Sequence, residues 1–204
     1  MQRNEFKNAL ILSHYDRVRE VTNNLMFGFA TTAPDNDKKR GVNEFLRTNM
    51  GWPRHVTTLY DYRVMFPGVY ERLFQFCIIS LCSDAEIFFK ALFDKYEYPK
   101  GSGLGFFQRI DDVFAALKNE GIDFLPIQSS IENLQLAFQI RHIGIHNMGV
   151  VDDNFIKKTG KGTAGASFLI DQKSYREMFE AYEKLLGYLD GLLPPLPAEV
   201  KANI

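Results

Sequence analysis

Apolar residues recur at intervals of three and four along most of the chain, the spacing of helices that bury one face. Between Glu5 and about Phe29 these positions are Leu10, Ile11, Val18, Val21, Leu25 and Met26, which predicts a helix there. Thr31 to Gly41, TTAPDNDKKRG, is a loop by composition. Val42 to Pro67 is less regular, with a short amphipathic piece around Phe45 and an irregular WPRH segment. From Gly68 to about Tyr96 the chain is dense in Phe, Leu, Ile and Cys, the most apolar segment and the one expected at the centre of the fold. Lys100 to Gly105, KGSGLG, interrupts it, and a helix from about Leu104 to Glu120 is expected to follow, ended by Gly121.

The pattern Ser129-x-x-Glu132 fits a capping box, opening a helix that runs to about His146 with Gly149 placed to close it. Val150 to Ser167 is polar and contains Gly and Lys, so a loop is expected, with a short extended piece at Phe168 to Ile170. A second capping-box pattern, Ser174-x-x-Glu177, opens a last helix through Leu192, and the tail PPLPAEVKANI is expected to be loose. No internal repeat and no alternating strand pattern of useful length is present. The expected fold is all-α: an antiparallel bundle of four or more helices over residues 68–193, a helical extension over 1–67 and a tail over 194–204.

Composition narrows the picture. The 18 Phe, nine Tyr and one Trp supply bulk for a true core. The formal net charge of −1 argues against a basic coat for gripping long duplex DNA, while leaving room for a small phosphate site built from a few cations. No apolar run approaches the roughly 20 residues that span a bilayer, and Met1 to Lys7 is polar, so a cytoplasmic protein without a membrane partner is expected. Cys77 and Cys82 are five apart on one predicted helix and would point about 140° apart. Buried, reduced thiols are therefore expected rather than a disulfide.

The helix from Ser130 onward carries the chemistry. On a helical wheel Ile131, Leu134, Phe138 and Ile145 share one side, and Leu136, Ile140 and Ile143 the other. A helix apolar on two sides is buried between neighbours, yet this one also bears Arg141, His142, His146 and Asn147. A guanidinium in or beside a core is costly unless paired. The expected partner is a carboxylate on the apolar segment around Cys82, where Asp84 and Glu86 are the candidates.

Arg141 to His146 reads R-x4-H, followed by Asn147, Gly149 and the acidic pair Asp152 and Asp153 in the run RHIGIHNMGVVDDNF. Upstream, a helix bears acidic residues followed by Lys90. These features, across roughly Gly68 to Leu192, resemble the R-x4–6-H motif and setting of the HEPN superfamily; the first 67 residues carry no such likeness. The resemblance implies a metal-independent endoribonuclease of a defence, stress or toxin–antitoxin system, acting without a cofactor. In that reading RNA is the partner and its 2′-OH attacks the adjacent phosphate. His146 serves as general acid or base, Arg141 stabilises phosphate charge, and Asn147 orients the histidine or donates to a phosphate oxygen. His142, four residues before His146, projects from the same face and either assists the reaction or lines the site. Lys157, Lys158 and Lys161 could hold the RNA backbone, or form an ordinary solvated loop.

Arg141 and His146, five apart, point about 140° away from each other on a straight helix. One compact site then requires the Arg side chain to wrap round, the helix to distort near Gly144, or two chains to share a cleft; the resemblance favours a homodimer. An antitoxin is a partner that the RNase reading allows. A non-catalytic HEPN-like module that binds nucleotide, RNA or a partner protein such as a nucleotidyltransferase subunit is the competing reading, and a scaffold with Arg141 as a structural ion pair is the third. His142 and His146 have metal-compatible spacing, but no HExxH and no evident third ligand accompanies them. Gly101, Gly103 and Gly105 lack the spacing and the preceding strand of a phosphate loop. Ser129 and Ser174 read as helix caps, His14 and His55 as surface or structural residues, and Phe74, Phe76, Phe88, Phe89 and Phe93 as core before base-stacking platform.

Overall fold

The computed structural model describes residues 3–19, 41, 48–49, 51–65, 69–103 and 105–196. The amphipathic piece around Phe45, most of the loop 31–41 and the chain beyond residue 196 lie outside these, as does the predicted helix beyond residue 19. Seven α-helices occur among the described residues: α1 (Ala9–Arg17), α2 (Leu59–Met65), α3 (Val69–Lys95), α4 (Ile110–Asn119), α5 (Gln128–His146), α6 (Asp153–Thr159) and α7 (Gln172–Leu192). The described residues contain no strand beyond two isolated bridges, Gly41 with Thr58 and Val150 with Ser167. The protein is all-α, and none of these helices is long and apolar enough to cross a membrane.

The centre is α5 laid between α3 and α7. Its buried residues occupy both sides, Ile131, Leu134 and Phe138 on one and Ala137, Ile140 and Ile143 on the other, as a helix flanked by two neighbours requires. Opposite them α3 presents Cys77, Ile78, Leu81, Cys82, Ala85, Phe88 and Phe89, all at most 1% exposed. Both thiols are free, and burial pushes them well above the ordinary cysteine range. Exposure departs from the helical wheel at two positions: Ile145 is 47% exposed, and Leu136 is half-buried, packed on the core at the groove between α4 and α6.

Helix α1 packs on α3 and α7, adding Ile11, Tyr15 and Val18 to the same core. Its N-terminus is pinned by the buried carboxylate of Asp190, which accepts the backbone N–H of Lys7 and Asn8, while Asn8 caps the helix by accepting from Leu10. The side-chain amide of Asn8 also donates to Tyr96 at the end of α3. One residue pair thus joins three helix ends.

Four local expectations change. The helix expected from Leu104 begins only at Ile110, because a 3-10 turn at Phe106–Gln108 precedes it. This turn lets Phe106 and Phe107 pack edge-on against Phe93. Neither capping box forms. A 3-10 turn at Leu125–Ile127, held by Asp123 accepting from Leu125, runs straight into α5, so Ser129 already lies inside the helix. In α7 the cap is Asp171, whose carboxylate accepts from Ser174. The segment expected as a loop contains α6, started by Asp152 accepting from Phe155 and stopped by Gly160 in the left-handed conformation.

The end of α5 depends on Gly149. It has φ +83°, and a Cβ there would lie 2.4 Å from Nε2 of Gln75 on α3, a side chain only 4% exposed. Its N–H closes the helix on the carbonyl of Ile143, and its carbonyl accepts from Phe168. Gly149→Ala is expected to cost about 1–3 kcal/mol through backbone strain and displacement of Gln75. Chemical denaturation followed by circular dichroism measures this, and an unchanged midpoint would contradict it.

Candidate functional site

The motif occupies the last turn and a half of α5. Arg141 points inward: its Nη2 lies 2.6 Å from Oε1 of Glu86 on α3, and the two side chains are 16% and 9% exposed. The contact is a close approach of opposite charges rather than an aligned hydrogen bond, and neither Glu86 Oε1 nor Arg141 Nε has a hydrogen-bond partner. The apolar setting that raises the Cys82 thiol surrounds this pair. Low local dielectric strengthens the attraction between the charges and raises the penalty for removing either one.

Of the two expected partners, Glu86 takes Arg141 and Asp84 does not. Two residues apart on a helix are about 200° apart, so Asp84 faces α1, where it accepts from Nε of Arg17 at 3.1 Å. His14 lies on the same side, 8% exposed and edge-on to Phe88. Burial and the charge of Arg17 hold its pKa below the ordinary imidazole value, against the opposing pull of Asp84. Asp84 and His14 therefore belong to the docking of α1.

His142 and His146 project the other way. Both are exposed and their rings lie 4.8 Å apart, inclined at 52°. The pKa of His142 is held below the ordinary value by partial burial, then by the charges of His146 and Lys158, with Asp152 pulling in the opposite direction. At neutral pH it is a neutral imidazole that can accept a proton. Asn147 donates to Asp152 at 2.6 Å, and Asp152 in turn caps α6. This amide fixes α6, with Lys157 and Lys158 in its last turn, against the end of α5.

Within one chain the structure therefore brings together His142, His146 and Lys158, with Asn147 and Asp152 as their support. It directs Arg141 to the other side of the helix, as five-residue spacing dictates. Lys157, Lys158 and Lys161 are all exposed. Lys158 and Lys161 also line a groove of about 600 Å³ between α4, α5 and α6, together with Gln135 and Gln139 of α5. The expectations from sequence omit these two glutamines. Their signal is present in the spacing, since Gln135, Gln139, His142 and His146 follow one another at four, three and four residues and share a helix face.

No family model, no curated protein and no solved structure matches the chain.

Replacing Lys158 with Ala removes a charge that disfavours the imidazolium, so the titration midpoint of His142 is expected to rise. Replacing Asp152 with Asn removes a charge that favours it, so the midpoint is expected to fall. Proton–nitrogen NMR titration of His142 reads both, and shifts of the same sign in the two variants would contradict the arrangement.

Proposed function

We propose that the protein is a HEPN-like, metal-independent endoribonuclease whose proton transfers are made by His142 and His146. The observation that carries this reading is the pair of exposed imidazoles in contact at the end of α5, beside Lys158. Cleavage of this kind needs one group to take the proton of the ribose 2′-OH and one to protonate the departing 5′-oxygen. The 2′-oxygen then bonds to phosphorus, the P–O5′ bond breaks, and the products are a 2′,3′-cyclic phosphate and a 5′-OH end. His142, neutral at pH 7, is suited to take the proton, and His146 to give one. Lys158 stabilises the charge on the phosphate. Arg141, held by Glu86, fixes the turn of helix from which both imidazoles project. The composite cleft of a homodimer, which the motif's resemblance implies, would set two such pairs together.

One observation favours a second reading. The guanidinium expected at the phosphate is 16% exposed and paired with Glu86, the arrangement of a structural ion pair. A non-catalytic HEPN-like module that binds RNA, nucleotide or a partner protein would keep it there.

Cleavage of total RNA in EDTA separates the two. The first reading predicts that the intact protein cuts, that His146→Ala and His142→Ala each lose about 10²–10⁴-fold, and that Arg141→Lys retains more activity than either. The rate is expected to fall on the acid side only below the ordinary imidazole value, because His142 titrates low. Equal activity in the intact protein and both histidine variants would remove the first reading.

A further inference from the structure

The groove between α4, α5 and α6 has a volume of about 600 Å³ and is lined chiefly by polar side chains, among them Asp111, Gln135, Gln139, Lys158 and Lys161. It is not a separate feature of the surface. Gln135 and Gln139 lie on the same face of α5 as His142 and His146, so the helix face that walls the groove also carries the imidazole pair. Lys158 belongs to both, since it lines the groove and its charge acts on His142.

Its chemistry is asymmetric. At one end Asp111 accepts from the Gln135 amide at 2.6 Å, and at the other stand the ammonium groups of Lys158 and Lys161. Gln139 lies between, half-buried, and its amide takes no partner among the described residues. An amide carries donors and an acceptor in one plane, the complement of a base edge. Lysines without bidentate geometry suit phosphate oxygens as point charges. A groove that mixed carboxylates with only two lysines is poorly suited to a bare polyanion and well suited to a ligand with a polar ring at one end and a phosphate at the other.

We propose that this groove is the subsite for one nucleotide of single-stranded RNA, with the base against Gln135 and Gln139 and the phosphate passing Lys158 toward His142 and His146. The inference rests on the reading of the imidazole pair as an RNA site and adds where base preference arises. A double helix does not enter such a groove, because its base edges are already paired; the ligand is a strand with splayed bases. Asp111 and Glu132, the two carboxylates that line the groove, then suppress binding of strands whose base end offers only acceptors.

The test uses the full chain carrying His146→Ala, in EDTA, with fluorescent homopolymers of about six nucleotides, a length matched to a short single-strand site. Fluorescence anisotropy gives Kd for each of oligo-U, oligo-A and oligo-C. Adding Lys158→Ala and Lys161→Ala together is expected to raise Kd by about tenfold or more for every homopolymer, because phosphate contacts are lost whatever the base. Adding Gln139→Leu is expected to change the ratio of Kd between homopolymers by about threefold or more, as loss of a base contact does. Lys173→Ala, an exposed lysine on α7, serves as the control and should leave Kd within about twofold. Circular dichroism establishes that each variant is folded. Unchanged Kd and unchanged ratios in the groove variants, or no binding of any homopolymer, overturn the subsite. Binding that follows the predicted pattern while the unmutated chain cuts no RNA supports the subsite and removes the cleavage reading. Cleavage by the unmutated chain with groove variants that bind as before does the reverse.

Discussion

A buried ion pair determines which way the central helix faces. Helix α5 is apolar on two sides and carries almost no amphipathic preference of its own, so apolar packing alone leaves its rotation between α3 and α7 weakly specified. The contact between Arg141 and Glu86 removes that ambiguity. Rotating the helix would leave both charges in low dielectric without a partner, a penalty larger than most single packing errors. Once Arg141 is turned toward α3, helical geometry puts His142 and His146 outside. The exposure of the imidazoles is thus a consequence of the buried charge.

Around that fixed helix the smaller elements follow in order. Gly149 lets the chain leave α5 against Gln75, where any side chain would collide. Asn147 then meets Asp152, Asp152 starts α6, and α6 holds Lys158 beside the imidazole face. On the far side of the bundle the same logic operates with different residues. Asp84 meets Arg17 and docks α1, and Asp190 receives the backbone before it. Two carboxylates on α3, two residues apart, serve opposite neighbours.

Much of this was legible in the chain. Long periodic segments identify α3, α5 and α7, and the conflict of a guanidinium in an apolar helix points to a carboxylate at Asp84 or Glu86, of which Glu86 takes the contact. What escaped had identifiable reasons. Asp84 and Glu86 are equivalent by composition, and only the position of α1 separates them. The serine capping boxes were local patterns overridden by stronger ones: Asp171 lies three residues before Ser174, and Pro126 with Asp123 starts a 3-10 turn ahead of Ser129. Helix α6 was too short to show periodicity, although Asp152 and Gly160 mark both its ends. The spacing places Gln135 and Gln139 on one helix face, but polar residues on a helix read as solvent-facing until neighbouring elements make them a wall.

The central claim is that Arg141 and Glu86 act as one unit in fixing α5. A double-mutant cycle with Arg141→Met and Glu86→Leu, measured by chemical denaturation, tests it most directly. Each single replacement leaves an unpaired buried charge and should cost about 3–5 kcal/mol, while the pair of apolar side chains together should cost far less than the sum. Two losses that simply add, to within about 0.5 kcal/mol, would mean that the charges do not cooperate, and that something other than this ion pair sets which residues of α5 face the solvent.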